Sequence, residues 1–176
     1  MLHTMLTKQE AIAAESFQTY ISKADDMEVA KAIRRNTKEF RKLLKSIPAK
    51  KRQYAYAPGK WTIQEVLQHI IDAERVFIYR ALTFARRDQS QLPGFDENSW
   101  AVHANSTKRK WKDLVEEFAI VRAGSELFFE SLSDEDLLFK GLANNKPSNA
   151  LAMGYVTAGH AKHHLLIIKE RYLGKK

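Results

Sequence analysis

Four long segments of this chain repeat their apolar residues at helical spacing, and none alternates convincingly as a strand does, so the fold is restricted to packed helices. The first segment runs from about Asp26 to Ser46, with Val29, Ile33, Phe40, Leu43, Leu44 and Ile47 available for one face, and Pro48 ends it. The second starts near Trp61, after a Pro58-Gly59 turn, with Thr62 as its cap, and reaches about Arg87. Ile63, Val66, Leu67, Ile70, Ala73 and Phe77 make its buried face. The third follows Ser106 and reaches about Leu132, with Trp111, Leu114, Val115, Phe118, Val121 and Phe128 inward. Ser133 then caps a short extra helical piece, Gly141 to Pro147 reads as a loop, and Ser148 caps a fourth helix ending near Leu173-Gly174.

The segment from Asp88 to Asn105 contains Pro93 and Gly94 and is long for a connection. A connection of this length can cross the end of a bundle, so the helices it joins need not be antiparallel. The expected fold class is therefore all-α: a four-helix bundle with a long crossover between helices two and three. Residues 1–176 read as a single domain, since no internal repeat, low-complexity tract or linker interrupts them. Residues 1–25 precede the bundle as a strap held by Phe17, Tyr20 and Ile21, with room for a short helix between Lys8 and Thr19.

Composition narrows the chemistry. The chain has no cysteine, so disulfides and thiolate metal sites are excluded, and a bound metal must use imidazole, carboxylate, backbone or water. The first residues lack the basic start and apolar run of a secretory signal, and no stretch approaches the ~18 apolar residues of a membrane span. A soluble, cytoplasmic protein without a membrane partner is expected. The formal charge is +8, and ten basic residues face one acid, Glu39, between Lys31 and Arg52. Nucleic acid could use such a field. Yet Lys31, Arg34, Lys38, Arg41 and Lys45 recur at helical spacing with no nucleic-acid reader motif beside them, which favours a solvated outer stripe.

Histidine carries the clearest chemical signal. His160 and His164 stand four apart on the last helix, a spacing that sets their Cβ atoms ~5–6 Å apart on one face. They share a stripe with Met153, Val156, Ile167 and Arg171, while Lys162 and Lys169 point the other way. Buried imidazoles need partners for their nitrogens, and a metal ion would serve one nitrogen on each; hydrogen-bonded core histidines are the plainer alternative. His163, three residues from His160, lies towards the flank as a rival ligand or a substrate-contacting group. A third ligand should come from another helix, and His69 falls beside Val66, Ala73 and Val76 on the inward side of helix two. Three imidazoles without a fourth protein ligand leave a coordination position open, as a catalytic site requires. His3 and His103 fall in loops and carry no pattern. Glu74 lies near the centre of the second apolar stripe. It suits a general base or a partner that orients an imidazole N–H, although a buried ion pair with Arg122 or Arg171 is the favoured reading. Arg80 lies one helical row beyond His69, and Trp61 and Tyr155 could line a pocket or simply fill the core.

Several motifs fit a known pattern together. Tyr56-Ala57-Pro58-Gly59-Lys60-Trp61-Thr62-Ile63 is followed by Val66-Leu67-Gln68-His69-Ile70-Ile71-Asp72-Ala73-Glu74-Arg75, then Arg80-Ala81-Leu82 and Leu92-Pro93-Gly94-Phe95-Asp96, and finally Ala158-Gly159-His160-Ala161-Lys162-His163-His164. In order and spacing, from about Asp26 to Leu173, the chain resembles the DinB/YfiT-like superfamily. The resemblance implies a four-helix bundle with the same long crossover, one divalent metal ion on His69, His160 and His164, and a homodimer formed through the bundle surface. Imidazole suits zinc, nickel, copper and iron, and zinc, nickel, manganese and iron are the candidate ions. It further implies an enzyme acting on a small molecule. One chemistry is thiol S-transfer with a low-molecular-weight thiol such as mycothiol or bacillithiol, placed slightly ahead; the other is metal-dependent hydrolysis. Glu74 and His163 would then handle protons. The alternative is a non-catalytic stress-response bundle that binds a ligand or partner and keeps a metal for stability.

Overall fold

The structure is a computed structural model and describes residues 6–174. In chain order its helices are α1 (Glu15–Lys23), α2 (Val29–Ser46), α3 (Ile63–Ala85), α4 (Glu97–His103), α5 (Trp111–Glu130), α6 (Asp134–Leu138) and α7 (Ala150–Ile167), and a π-helical turn at Ile168–Tyr172 extends the last. A hairpin of β1 (Lys140–Ala143) and β2 (Lys146–Asn149) precedes α7. The four expected long helices are α2, α3, α5 and α7. Helices α5 and α7 each pack on both α2 and α3, which therefore stand at opposite corners of the bundle.

The core has two apolar halves. One joins Ile33 of α2, Phe84 of α3, Phe129 of α5 and Val156 of α7; the other joins Phe40, Ile63, Leu114 and Leu165 of the same four helices. The start of α2 thus meets the end of α3, the end of α5 and the start of α7. Helices α2 and α7 run one way, and α3 and α5 the other, so the long crossover does join parallel neighbours.

A buried polar layer separates the halves. Arg122, fully buried, donates from Nη1 to Glu74 Oε2 at 2.9 Å, from Nη2 to Ile33 O at 2.9 Å and Asn36 Oδ1 at 3.1 Å, and from Nε to Thr37 Oγ1 at 2.9 Å. The other Glu74 oxygen accepts from Ser125 Oγ at 2.5 Å. A buried charge pair is tolerated when its polar atoms are matched in this way. Of the two arginines considered for Glu74, Arg122 holds it, and Arg171 is exposed.

Helix starts follow local chemistry. Thr62 opens α3 in a capping box with Glu65, and Ser133 opens α6 in one with Asp136, both as expected. The cap of α7 is Asn149 rather than Ser148: Asn149 Oδ1 accepts from Ala152 N at 2.9 Å, while Ser148 pairs with Gly141 in the hairpin. The expected loop at Gly141–Pro147 is largely that hairpin. Asn144 and Asn145 have φ of 50° and 59°, the left-handed pair that a two-residue I′ turn requires. The crossover also holds structure beyond expectation, because Asp96 Oδ1 caps α4 by accepting from Asn98 N and Ser99 N. On α5 the buried face is Leu114, Phe118, Arg122, Ser125 and Phe129, so Val115, Val121 and Phe128 lie at its margin. The basic stripe of α2 is exposed, with Arg34 paired to Glu126 and Glu130. Among the described residues no helix is long and apolar enough to cross a membrane.

Candidate metal centre

Helix α7 is buried on every side from Ala150 to Ala161, because α1 covers the face that α2 and α3 leave open. Gly159 permits that covering: a Cβ there would come within 1.7 Å of Tyr20 O, so only glycine admits the α1 backbone. Tyr20 consequently meets His160 edge-on, with ring centroids 5.1 Å apart. Across the α3–α7 contact, His69 Nε2 lies 2.9 Å from His160 Nε2, which lies 3.1 Å from His164 Nε2. The Trp61 ring stands against His69 at 4.7 Å. Among the described residues these three histidines alone form a group able to hold a metal ion, with ligand atoms within 4.8 Å of one another.

Burial pushes the pKa of His69 down to about 4, partly opposed by the Glu97 carboxylate. It holds His160 and His164 well below the ordinary histidine value, reinforced by the neighbouring imidazoles. All three rings are therefore neutral at pH 7, the form that ligates metals. A neutral His160 Nε2 has one in-plane valence, which a proton can use towards one neighbour while the other contact stays unmatched. A cation between the three would satisfy all three Nε2 atoms at once. The 2.9 and 3.1 Å spacings are close to those around a shared zinc, where nitrogens at ~2.0–2.1 Å from the ion are about 3–3.4 Å apart.

The histidines open onto a cavity of about 410 Å³, the size of a small-molecule site. Around them it is lined by Tyr20, Trp61, Phe77, Arg80, Glu97 and Asn144. The structure thus brings together His69, His160 and His164, with Trp61 and Arg80 in the same wall. Other sequence candidates stand apart from the cavity. Glu74 belongs to the buried Arg122 layer. His163 packs on Tyr20 and His164 at 5.4 and 5.1 Å and turns towards the flank, its pKa lowered by partial burial and then by Lys23. Tyr155 donates to Met27 O at 3.0 Å from within the core. His103 ends α4 beside Ser99 O, and His3 lies outside the described residues. Sequence reasoning missed Glu97 and the placement of Tyr20. Both arrive on short helices, and only the Asp96 cap signal announced α4.

A bundle whose crossover joins parallel helices, and which converges three imidazoles on one cavity, defines a class of helical protein with a side-chain group that could hold a metal ion. Residues 32–168 match the DinB superfamily, and the chain belongs to that family. It is 32% identical over 120 residues to a protein of Oceanobacillus iheyensis named "putative metal-dependent hydrolase", an alignment that spans 65% of this chain and 66% of that relative, just under two thirds of its length. The fold also matches that of YfiT from Bacillus subtilis, described as "a probable metal-dependent hydrolase with an unusual four-helix bundle topology". That match has a TM-score of 0.69 at 16% identity and covers 98% of this chain and 95% of the other.

Proposed function

We propose that the protein is a metal-dependent enzyme in which His69, His160 and His164 bind one divalent ion and the adjoining cavity takes a small-molecule substrate. The observation that carries this is the meeting of three Nε2 atoms, 2.9 and 3.1 Å apart along the chain of contacts, at the wall of a cavity. Such an ion supplies Lewis acidity, polarising a carbonyl or bringing the pKa of water or a thiol towards neutrality. The residues of the chain do the rest. Tyr20 and Trp61 fix the imidazole planes and keep water from two sides. Glu97 is exposed on the cavity wall, and its charge reaches both His69 and Tyr20, so its carboxylate is placed to accept a proton from an attacking nucleophile. Its presence, with the names of the two relatives, supports hydrolysis as the leading chemistry and puts thiol S-transfer second. Glu74 and His163 remain proton-handling candidates only through positions outside the cavity, and Glu97 precedes both.

Metal content by elemental mass spectrometry, on protein purified without chelator, tests the site. Stoichiometric divalent metal is expected in the wild type and none in His160→Ala. Equal content in the two proteins would remove the assignment. Loaded protein is then offered activated esters with and without a small thiol; thiol-dependent turnover would reverse the order of the two chemistries. A homodimer is part of the same reading, supported by Ile120 and Leu127 of α5, which stand 65% and 68% exposed on the bundle surface. Sedimentation velocity showing only monomer at micromolar concentration would exclude it.

A further inference from the structure

Arg80 has no part in the metal chemistry proposed for the histidines. Its side chain is in the cavity wall and the residue is only 3% exposed, yet among the described residues no carboxylate pairs with it. One N–H is used, from Nη2 to Pro93 O at 2.8 Å, and no acceptor among the described residues takes the others. A buried guanidinium normally has an anionic partner, because desolvation without one is costly. Every other buried charged group in the core is matched: Arg122 has Glu74, and the polar atoms of both are taken. Glu97, the carboxylate of the cavity wall, forms no ion pair with Arg80 among the described residues; its charge acts on His69 and Tyr20.

The α3 side of the wall between His69 and Arg80 is apolar. His69, Ala73, Phe77 and Arg80 follow one another along one stripe of α3, with Phe77 set edge-on to His160 at 5.5 Å. At a rise of 1.5 Å per residue, the eleven steps from His69 to Arg80 span about 16 Å. Both side chains lean back towards the helix start, so the guanidinium and the imidazoles are on the order of 13–16 Å apart, which leaves roughly 10 Å for a ligand once the contacts at each end are subtracted. The backbone supports this far end independently. Leu92 bridges to the hairpin beside Ala143, and Asn144 lies over Gly94, where a Cβ would meet Asn144 Oδ1 at 2.8 Å. The loop that gives Arg80 its carbonyl partner is thereby held in place.

We infer that Arg80 is a specificity-determining residue, which pairs with a carboxylate carried by the substrate about 10 Å from its reacting group, across an apolar spacer lying on Ala73 and Phe77. A planar guanidinium fork matches a carboxylate, and one unpaired cation suits a monoanion better than a phosphate dianion. The inference deepens the proposed function and rests on the metal reading, because the reacting end is defined by the three histidines.

Two hydroxamates test it, since the hydroxamate end engages a metal whichever tail it carries. Suberic acid monohydroxamate has a terminal carboxylate, and octanohydroxamate is its neutral counterpart; both are titrated calorimetrically into metal-loaded protein. The acid is expected to bind ~10-fold or more tightly than the neutral compound, the range of a charge-assisted hydrogen bond. Arg80→Gln should erase or reverse that preference with octanohydroxamate affinity kept, and Arg80→Lys should retain part of it. Equal wild-type affinity for the two compounds would overturn the Arg80 subsite while leaving the metal site standing. Binding of neither by the loaded wild type would overturn the metal reading, and this inference with it. The wild-type comparison decides the matter even if a variant fails to fold.

Discussion

At the scale of single residues, burial and pairing decide which polar groups are free to do chemistry. Glu74 has both oxygens engaged, by Arg122 Nη1 at 2.9 Å and Ser125 Oγ at 2.5 Å. Glu74→Ala should therefore act on stability, leaving Arg122 as an uncompensated buried charge at a cost of about 3–5 kcal/mol, read from urea denaturation, with metal content unchanged. Lost turnover without lost stability would assign Glu74 to proton handling instead. The histidines divide similarly. His163→Ala should keep its metal and His164→Ala should lose it, because His164 Nε2 faces His160 Nε2 at 3.1 Å whereas His163 lies on the flank against Tyr20. That separation was only partly legible in the sequence, since residues three and four apart on a helix are both neighbours, and only its place towards the flank ranked His163 below His164. Glu97 was not legible: a carboxylate in a seven-residue helix has no periodicity to reveal which way it faces.

At the scale of elements, the long helices were legible because each carries an apolar stripe over several turns, and the connections were less so because a few backbone hydrogen bonds decide them. The hairpin before α7 turns on two asparagines at positive φ, a signal present in Asn144-Asn145 but without alternation around it. The α7 cap shows what such local bonds carry. Asn149 Oδ1 accepts from Ala152 N at 2.9 Å and Ile12 N at 3.1 Å, and its Nδ2 donates to Glu10 O at 2.8 Å. One side chain thus starts the histidine helix and ties the N-terminal segment to it. Asn149→Ala should cost about 2–3 kcal/mol, a cap plus buried hydrogen bonds, measured by chemical denaturation. Gly159→Ala should displace α1, since the added methyl would sit within 1.7 Å of Tyr20 O. Hydrogen exchange across Glu15–Lys23 is expected to quicken in that variant more than exchange in α2 or α5; uniform protection would show that α1 accommodates the methyl.

For the whole molecule, the parallel run of α3 and α5 is what brings the crossover, and with it Glu97 and the Arg80 loop, across the mouth of the α3–α7 groove. The length of the crossover was readable, but the corner each helix takes depends on which faces meet, and four similar stripes do not specify that. The site also couples to the fold as a unit. The three proposed ligands come from α3 and α7, which belong to both halves of the core, so an ion bound there would hold the bundle together and would bind the unfolded chain poorly. Mass action then sets a magnitude: free metal at about a thousand times its dissociation constant adds about 4 kcal/mol. For a chain of this size each kcal/mol raises Tm by roughly 2–4 °C, so stripping the metal should lower Tm by about 8–16 °C and reloading should restore it. His160→Ala should melt at one temperature with or without added metal. A wild type whose Tm ignores both chelator and metal would mean that the imidazoles are core residues bonded to one another, and the proposed enzyme would lose its centre. A full thermal response without turnover on any ester or thiol would instead favour the non-catalytic bundle, in which the ion serves the fold alone.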